Sequence, residues 1–337
     1  MAMVTEIFDA LPESEHTVKV HRNEELLLTY PKPDKMRMWR EPEMLQVATV
    51  AHRWFPAGFA PPRDIFKSGA LRLEWQQMDF RQPFYHRNMD VEEISLQVDG
   101  ERTLMTELGS VELRTGDWSR IPVGIAHDNY GRKEIHLLFY VIAPAAEAGQ
   151  TTAAARRKAI PFEGWTPSTR AIEMVTECLG ARGCDLAVSL LDEAHLLTVG
   201  AESSDHLVVQ RASAEAGDDQ AEIEWLYKSA RVWLGNHHLR HARGEVYRCH
   251  RRAMSIHYQV SGVRTLVSQL GTVELHPGDF VNIPRGVAHT SIVADESTHT
   301  VVLAVDDIEM QMTPSKTAEP SSLLRTQAAR ALVPETD

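Results

Sequence analysis

The stretch GERTLMTELGSVELRTGDWSRIPVGIAH, from Gly100 to His127, returns as GVRTLVSQLGTVELHPGDFVNIPRGVAH, from Gly262 to His289. More than half of the positions are identical and no gap is needed. Periods of about 20 to 50 residues signal a solenoid, whereas a separation this long signals a whole domain copied once. The chain must therefore adopt a fold that its first and second halves can each form.

Each copy reads as β. EEISLQVDG (Glu92–Gly100) and SIHYQVSG (Ser255–Gly262) alternate polar and apolar residues before a glycine turn. SVELRTGDW and TVELHPGDF are strands ending in Gly-Asp turns. Proline and glycine then force a sharp bend in RIPVGIAHDNY and NIPRGVAHTSI, and a histidine opens the next strand. Short strands with frequent turns predict sandwiches or small barrels. The expected organisation is an arm over 1–45, a first β domain over 46–146, a linker over 147–185, a second β domain over 186–312 and a flexible tail over 313–337. RAIEMVTECLGAR, Arg170 to Arg182, has helical spacing and a glycine near its end, so the linker is expected to carry a short helix. The tail is expected to be loosely held, apart from a helix around Leu323 to Leu332.

The formal net charge is −12, which argues against nucleic acid as a partner because phosphate binding needs a basic surface. Three cysteines without a CxxC pair oppose a disulfide framework or a zinc ribbon and fit a reducing cytoplasm. The N-terminus meets acids and proline before any long apolar run, and no stretch reaches the ~18 apolar residues of a membrane span. The expectation is a cytoplasmic protein with no membrane partner.

Gly116, Pro122, Gly124 and His127 fit the second motif of the cupin superfamily, G-x5-P-x-G-x2-H-x3-N, and so do Gly278, Pro284, Gly286 and His289. The final asparagine is replaced by Gly131 and Val293. The chain thus resembles a two-domain cupin, which implies an all-β fold with a few helices: a bicupin of two tandem double-stranded β-helix (jelly-roll) barrels. The first cupin motif, H-x-H-x3–4-E-x6-G, is matched in copy one by His86, Asn88, Glu93 and Gly100, with asparagine where the second histidine would stand. FRQPFYHRN, Phe80 to Asn88, is similar to the FRPPYYHRN run before the iron-binding glutamate of homogentisate dioxygenases, although this chain is shorter than those enzymes. The likeness implies a relative of the aromatic-cleaving dioxygenases, a group that includes gentisate and hydroquinone enzymes, and leaves the substrate open. The resemblance to hydroquinone dioxygenases, some of which carry an asparagine two residues after a ligand histidine, implies that Asn88 is a weak ligand or supports one.

Two acids compete for the carboxylate position. Spacing from Gly100 favours Glu93, and spacing from His86 in the homogentisate enzymes favours Glu92. The two point to opposite faces of a strand. Glu92 shares its face with Ile94, Leu96 and Val98, and Glu93 with Ser95 and Gln97; the polar face suits a hydrated cavity and favours Glu93. Two imidazoles and a carboxylate on one face of Fe(II) leave positions open for an aromatic diol and O2. The implied cofactor is Fe(II), with Mn, Ni or Zn as alternatives, and the implied reaction is ring cleavage. A metal-dependent lyase, isomerase or decarboxylase without O2 is the first alternative, and a non-enzymatic binding bicupin is the second.

Arg120 beside the His127 bend, Gln97 and Tyr85 are the further catalytic or substrate-contacting candidates; Ser95, Trp118 and Trp75 are candidate pocket residues. Arg120 would pair with a substrate carboxylate through its planar fork. In copy two Ser255 stands at the acid position, and His250, His257 and His289 are second-site candidates, with His257 able to replace the acid. The preferred reading is a degenerate, mainly structural second copy. GNHHLRH, with His237, His238 and His241, is read as non-catalytic. A homo-oligomer formed through sheet edges is expected, and a small partner subunit is compatible with the sequence.

Overall fold

A computed structural model describes residues 3–9, 17–29, 43–56, 61–142, 144–148, 156–157, 166–179, 185–212 and 215–334. Copy one is built on β1 (Leu71–Met78), β2 (Tyr85–Asn88), β3 (Val91–Thr106), β4 (Gly109–Arg114), β5 (Asp117–Ile121) and β6 (His127–Ile142). Copy two is built on β7 (Val232–Arg240), β8 (Val246–His250), β9 (Met254–Ser261), β10 (Arg264–Ser268), β11 (Gly271–Leu275), β12 (Asp279–Ile283), β13 (His289–Ile292) and β14 (Glu296–Ala304).

In copy two the strand orders are β7-β14-β9-β12 in one sheet and β8-β13-β10-β11 in the other. The chain alternates between two sheets so that each strand lies beside partners distant in sequence, which is the jelly-roll path. Copy one repeats it as β1-β6-β3-β5 and β2-β6-β3-β4, with β3 and β6 long enough to run through both sheets. The protein is thus all-β with a few helices, two tandem jelly-roll barrels in the bicupin arrangement. The kink where each long path changes sheet needs a glycine. Gly100 and Gly262 have φ of +69 and +68, and a Cβ would stand 2.1 Å from the Lys133 carbonyl oxygen in one copy and 2.0 Å from that of Glu296 in the other. No side chain fits there, so this position is glycine in both repeats.

The largest apolar cluster lies between the barrels. Ile94, Leu96, Phe139 and Trp118 of copy one share it with Ile256, Tyr258, Phe280 and Val302 of copy two. Trp118 stacks on Phe139 at 5.5 Å and Tyr258 on Phe280 at 4.4 Å. Burying each such ring contributes roughly 2–3 kcal/mol. With the outward faces of these sheets buried against each other, the inward faces are left to carry polar side chains. That division positions the site.

Segments outside the repeats are exchanged between the barrels. Met3–Asp9 pairs in parallel with β8, and Gln46–Thr49 pairs with β12. Glu309–Met310 returns to pair with Arg63–Lys67, and Lys316–Thr317 pairs with Gln46–Thr49. The tail is therefore not loose as expected: its helix, Leu323–Arg330, is tied down by Arg330, which donates two 2.6 Å bonds to buried Glu24.

The helix expected in the linker is a strand in its described part. Ala171–Thr176 lies parallel to β2 and antiparallel to Asp185–Leu191. Ile172, Val175 and Thr176 are β-branched, and the open edge of β2 supplies the hydrogen-bond partners a lone helix turn would lack. The remainder of that helix, from Gly180 to Arg182, lies outside the described residues.

Candidate metal centre

His86 stands on β2, Glu93 near the start of β3, and His127 opens β6 after the Pro122–Gly124 bend. His127 and His86 are directly opposed across the β2/β6 pair, and Glu93 comes in from the neighbouring long strand. Their donor atoms all lie within 4.8 Å of one another, the one such group among the described residues. His127 Nε2 is 3.1 Å from Glu93 Oε2, and the His86 and His127 rings lie 5.5 Å apart in an edge-on arrangement. The other His127 nitrogen, Nδ1, donates to the Ile125 carbonyl at 3.0 Å. That bond turns Nε2 toward Glu93, where it shares a proton with the carboxylate and would offer its lone pair to a metal, the way ligand imidazoles are usually oriented.

Asn88 Nδ2 donates to Glu93 Oε2 at 2.9 Å, and the Cys178 thiol donates to Asn88 Oδ1 at 3.1 Å. Asn88 thus holds the carboxylate in place. Burial alone would raise the Glu93 pKa, but His127, His86 and the Asn88 bond overcome it and bring it to about 2. Burial lowers and Glu93 raises the His127 pKa, and the raising effect wins. The pair therefore forms a proton-stabilised contact that a cation replaces. Two imidazoles and one ionised carboxylate, converging from one side, fit a divalent metal with open positions. His86, Glu93 and His127 would hold it.

The donors form the floor of a cavity of about 370 Å³, in the range of small-molecule sites. Phe80, Phe84, Met78, Leu138 and Tyr140 give it an apolar wall. Met174, Thr176 and Cys178 close another side, so the strand formed in place of the expected linker helix is part of the site. Sequence reasoning missed Arg72, Glu74 and Tyr140. They follow from strand register: Glu93, Tyr140 and Arg72 lie in one cross-strand row of β3, β6 and β1, and Ser95, Leu138 and Glu74 in the next. Arg72 pairs with Asp64 at 2.6 Å and with Glu74. Burial is the main cause that pushes the Glu74 pKa up to about 7, with Arg72 opposing it.

Other candidates lie elsewhere. Glu92 and Arg120 are on the far side of the sheet, where Arg120 Nη1 donates to Glu92 at 2.6 Å and its Nε to Glu147 at 2.7 Å. Arg120 is not in the cavity, because the residue after a strand's inward Ser119 must point outward. Tyr85 likewise turns from His86's side and donates to buried Glu193 at 2.9 Å, so it does not reach substrate. Gln97 lies beneath the cavity, donating to Glu134 at 2.8 Å, and Ser95 is 2.7 Å from Ser119 and receives Arg102. Trp118 and Trp75 belong to the inter-barrel core, and the Trp75 indole donates to the Ala51 carbonyl.

Copy two gathers histidines, and the acid lining the same void, Asp219, accepts from the Gly244 and Glu245 backbone N–H groups and is not at the position of Glu93. His250 and His289 rings are 5.6 Å apart and His257 and His289 5.2 Å, beside a small void of about 30 Å³. His237 and His299 join the cluster at 5.1 Å from each other, within β7 and β14, and not on a loop. His257 does not substitute for the acid: Arg264 donates to its Nδ1 at 3.1 Å, which places the ring proton on Nε2 and removes the lone pair a metal needs. Burial first, then neighbouring arginines and histidines, push His257 and His250 well below the usual range, and burial takes His289 to about 4. His238 and His241 bond Thr298 and the Ala294 carbonyl. No helix among the described residues is long and apolar enough to cross a membrane.

No family model and no curated protein matches the chain. Among solved structures, the chain is similar to a single-substitution variant of the B. subtilis oxalate decarboxylase (TM-score 0.47, 13% identity, 89% of this chain and 88% of that one). It is also similar to a cupin 2 conserved barrel domain protein from Leptotrichia buccalis (TM-score 0.44, 8% identity, 74% and 92% covered). A third is a variant of the salicylate 1,2-dioxygenase from Pseudoaminobacter salicylatoxidans (TM-score 0.40, 12% identity, 73% and 77% covered). At these scores they carry no argument about chemistry, which must come from the site itself.

Proposed function

We propose that the chain is a non-haem Fe(II)-dependent dioxygenase that cleaves the ring of a hydroxylated aromatic compound. The observation that carries this reading is the His86–Glu93–His127 set on the floor of an apolar cavity able to take one aromatic ring. When bound, the metal would supply open positions where a diol and O2 meet. The chain's own part is to hold Glu93 ionised through Asn88, to keep the His127 Nε2 lone pair inward through the Ile125 carbonyl, and to face the ring with Phe80, Phe84 and buried Leu138. Inside such a wall polar contacts to the substrate are worth more than in water.

One observation favours a second reading, a metal-dependent lyase or decarboxylase that needs no O2. Glu74 lines the same cavity with a pKa pushed to about 7, a proton donor and acceptor near neutrality. Metal analysis of protein prepared without air, followed by oxygen uptake with catechols, hydroquinones, gentisate and homogentisate, separates the two. Stoichiometric iron with substrate-dependent uptake is the expected result. Firmly bound Mn, Ni or Zn with no uptake would sink the oxygenase reading in favour of the lyase.

A further inference from the structure

Among the described residues lining the cavity, Arg72 is the one guanidinium and no lysine is present. Its charge is already matched. Nε donates to Asp64 at 2.6 Å, the η2 nitrogen pairs with Glu74, and the guanidinium lies 5.9 Å from the Tyr140 ring centre. Two carboxylates against one guanidinium leave this wall neutral or negative, depending on whether Glu74 carries its proton. It would not welcome a further carboxylate, because like charges in a cavity of low dielectric repel strongly. Arg72 stands in the same cross-strand row as Glu93, two strands away, so this wall lies roughly 10 Å from the donors' strand, across a ring's length of cavity.

The balance at the floor points the same way. A divalent ion held by Glu93 keeps one net positive charge, which a single phenolate oxygen neutralises. A substrate with a phenolate and a carboxylate would bring one negative charge too many, with no free cation to receive it. Among the polar side chains that line the cavity, two stand on the wall across from the donors' strand and suit an uncharged hydroxyl. Tyr140 lines the cavity between Glu93 and Arg72, and its hydroxyl forms no hydrogen bond among the described residues. Glu74 stands one row on, with Gln76 donating to it at 3.4 Å.

We infer that the substrate is an aromatic diol without a carboxylate group, its ring held with one hydroxyl at the His86–Glu93–His127 floor and its remote hydroxyl at Glu74 and Tyr140. The inference rests on the ring-cleaving reading for the role of the floor, and selects among the substrates that reading leaves open. Glu74 acts here as a discriminating group beside Asp64: the two occupy the Arg72 guanidinium and so deny a carboxylate its natural anchor.

Equilibrium binding without O2 tests this independently of turnover. The zinc-loaded protein is titrated with two matched pairs that differ by one carboxylate, hydroquinone against gentisate and catechol against 2,3-dihydroxybenzoate. The neutral member should bind at least about tenfold more tightly in each pair, a like-charge penalty of the size that unpaired buried charges carry. Glu74→Gln keeps the shape and removes one of the two carboxylates that hold Arg72, so it should narrow or reverse the preference. Asp64→Asn, at a half-exposed position, should shift it in the same direction and serves if Glu74→Gln fails to fold. Equal or tighter binding of the acids by the unaltered protein overturns the inference, as does failure of both diols to bind or an unchanged ratio in both variants. Preferential binding of the neutral diols with no oxygen uptake by the iron form would uphold the substrate class and refute the oxygenase.

Discussion

Glu93 in copy one and Ser255 in copy two occupy the same place in the repeat, as do His86 and Arg248, Asn88 and His250, Ser95 and His257. Around them the scaffold is retained. Arg102 and Arg264 are both fully buried, and each donates to the side chain at the matching strand position: Arg102 to Ser95 at 2.6 Å, Arg264 to His257 at 3.1 Å. The buried arginine thus belongs to the fold, and the residue facing it is its acceptor whether serine or histidine. What differs is the charge of the site. Copy one brings an ionised carboxylate to two imidazoles. Copy two replaces one imidazole by a guanidinium and leaves the Ser255 hydroxyl buried without a partner among the described residues. A cation is welcomed in the first and repelled in the second. The barrel is the same in both copies, and the side chains at these four positions set them apart, which under the proposed function makes copy one the barrel that does chemistry.

The largest effect should come from exchanging ligands in either copy. Glu93→Gln or His127→Ala should remove the bound metal and lower turnover by at least ~10³-fold, since the open positions vanish with the ion. His289→Ala, the counterpart of His127→Ala, should leave metal content at its original stoichiometry and turnover within about threefold. Metal analysis of the three variants beside the unaltered protein checks this. Loss of metal in His289→Ala would erase the distinction between the copies.

Asn88 and His250 are the next pair. Asn88→Ala removes the 2.9 Å bond that holds Glu93 and should weaken metal binding by about 10- to 100-fold while leaving the ligands in place. His250→Ala has no such bond to remove. Competition with a chelator reads the affinity, and an unchanged value for Asn88→Ala would reduce Asn88 to a packing residue.

Acid should separate the halves in the metal-free protein. Buried histidines of copy two have pKa values lowered from ~6.5, with His289 at about 4 and His237 at about 3. Between those values and 6.5 the unfolded chain binds more protons, so their stabilising contribution is complete above 6.5 and is lost as pH falls. For His289 alone the loss is on the order of 3 kcal/mol. Copy one holds one lowered histidine of its own, His136, but its raised His127 contributes stability below 6.5, and the contribution of Glu93 starts to fall only below about 4.5 and is gone by about 2. Hydrogen exchange at pH 5 should show the strands of copy two opening before those of copy one. Uniform protection of both would contradict the assignment of charge states.

Much of this was legible in the sequence because it was written twice. The repeat, its glycine turns and the alternation along Glu92–Gly100 gave the barrel path, and alternation alone turned Glu93 rather than Glu92 to the polar face. Arg72 and Glu74 were hidden because they sit before the first motif, and only register across β1 and β6 brings them beside Glu93. The linker strand was hidden for a related reason: helical spacing over Arg170–Arg182 is a local signal, and pairing with β2 overrides it. Exchange of the arm and tail between barrels has no local signature at all.

The smallest effect is the one that settles the two adjacent acids. Glu92 and Arg120 have side-chain exposures of 8% and 19%, and Arg120 bridges Glu92 to Glu147 on the outer face. Burial raises the Glu92 pKa while Arg120 lowers it, so the pair is only partly favourable. Glu92→Gln should therefore cost about 1 kcal/mol, discounted for the solvent that reaches Arg120. Metal content, turnover and the preference among aromatic substrates should not move, because none of these atoms faces the cavity. Urea unfolding and metal analysis on Glu92→Gln and Glu93→Gln together read both quantities. If Glu92→Gln released the metal, the face assignment along β3 would be off by one residue, and the whole cross-strand row from Glu93 through Tyr140 to Arg72 would fall with it.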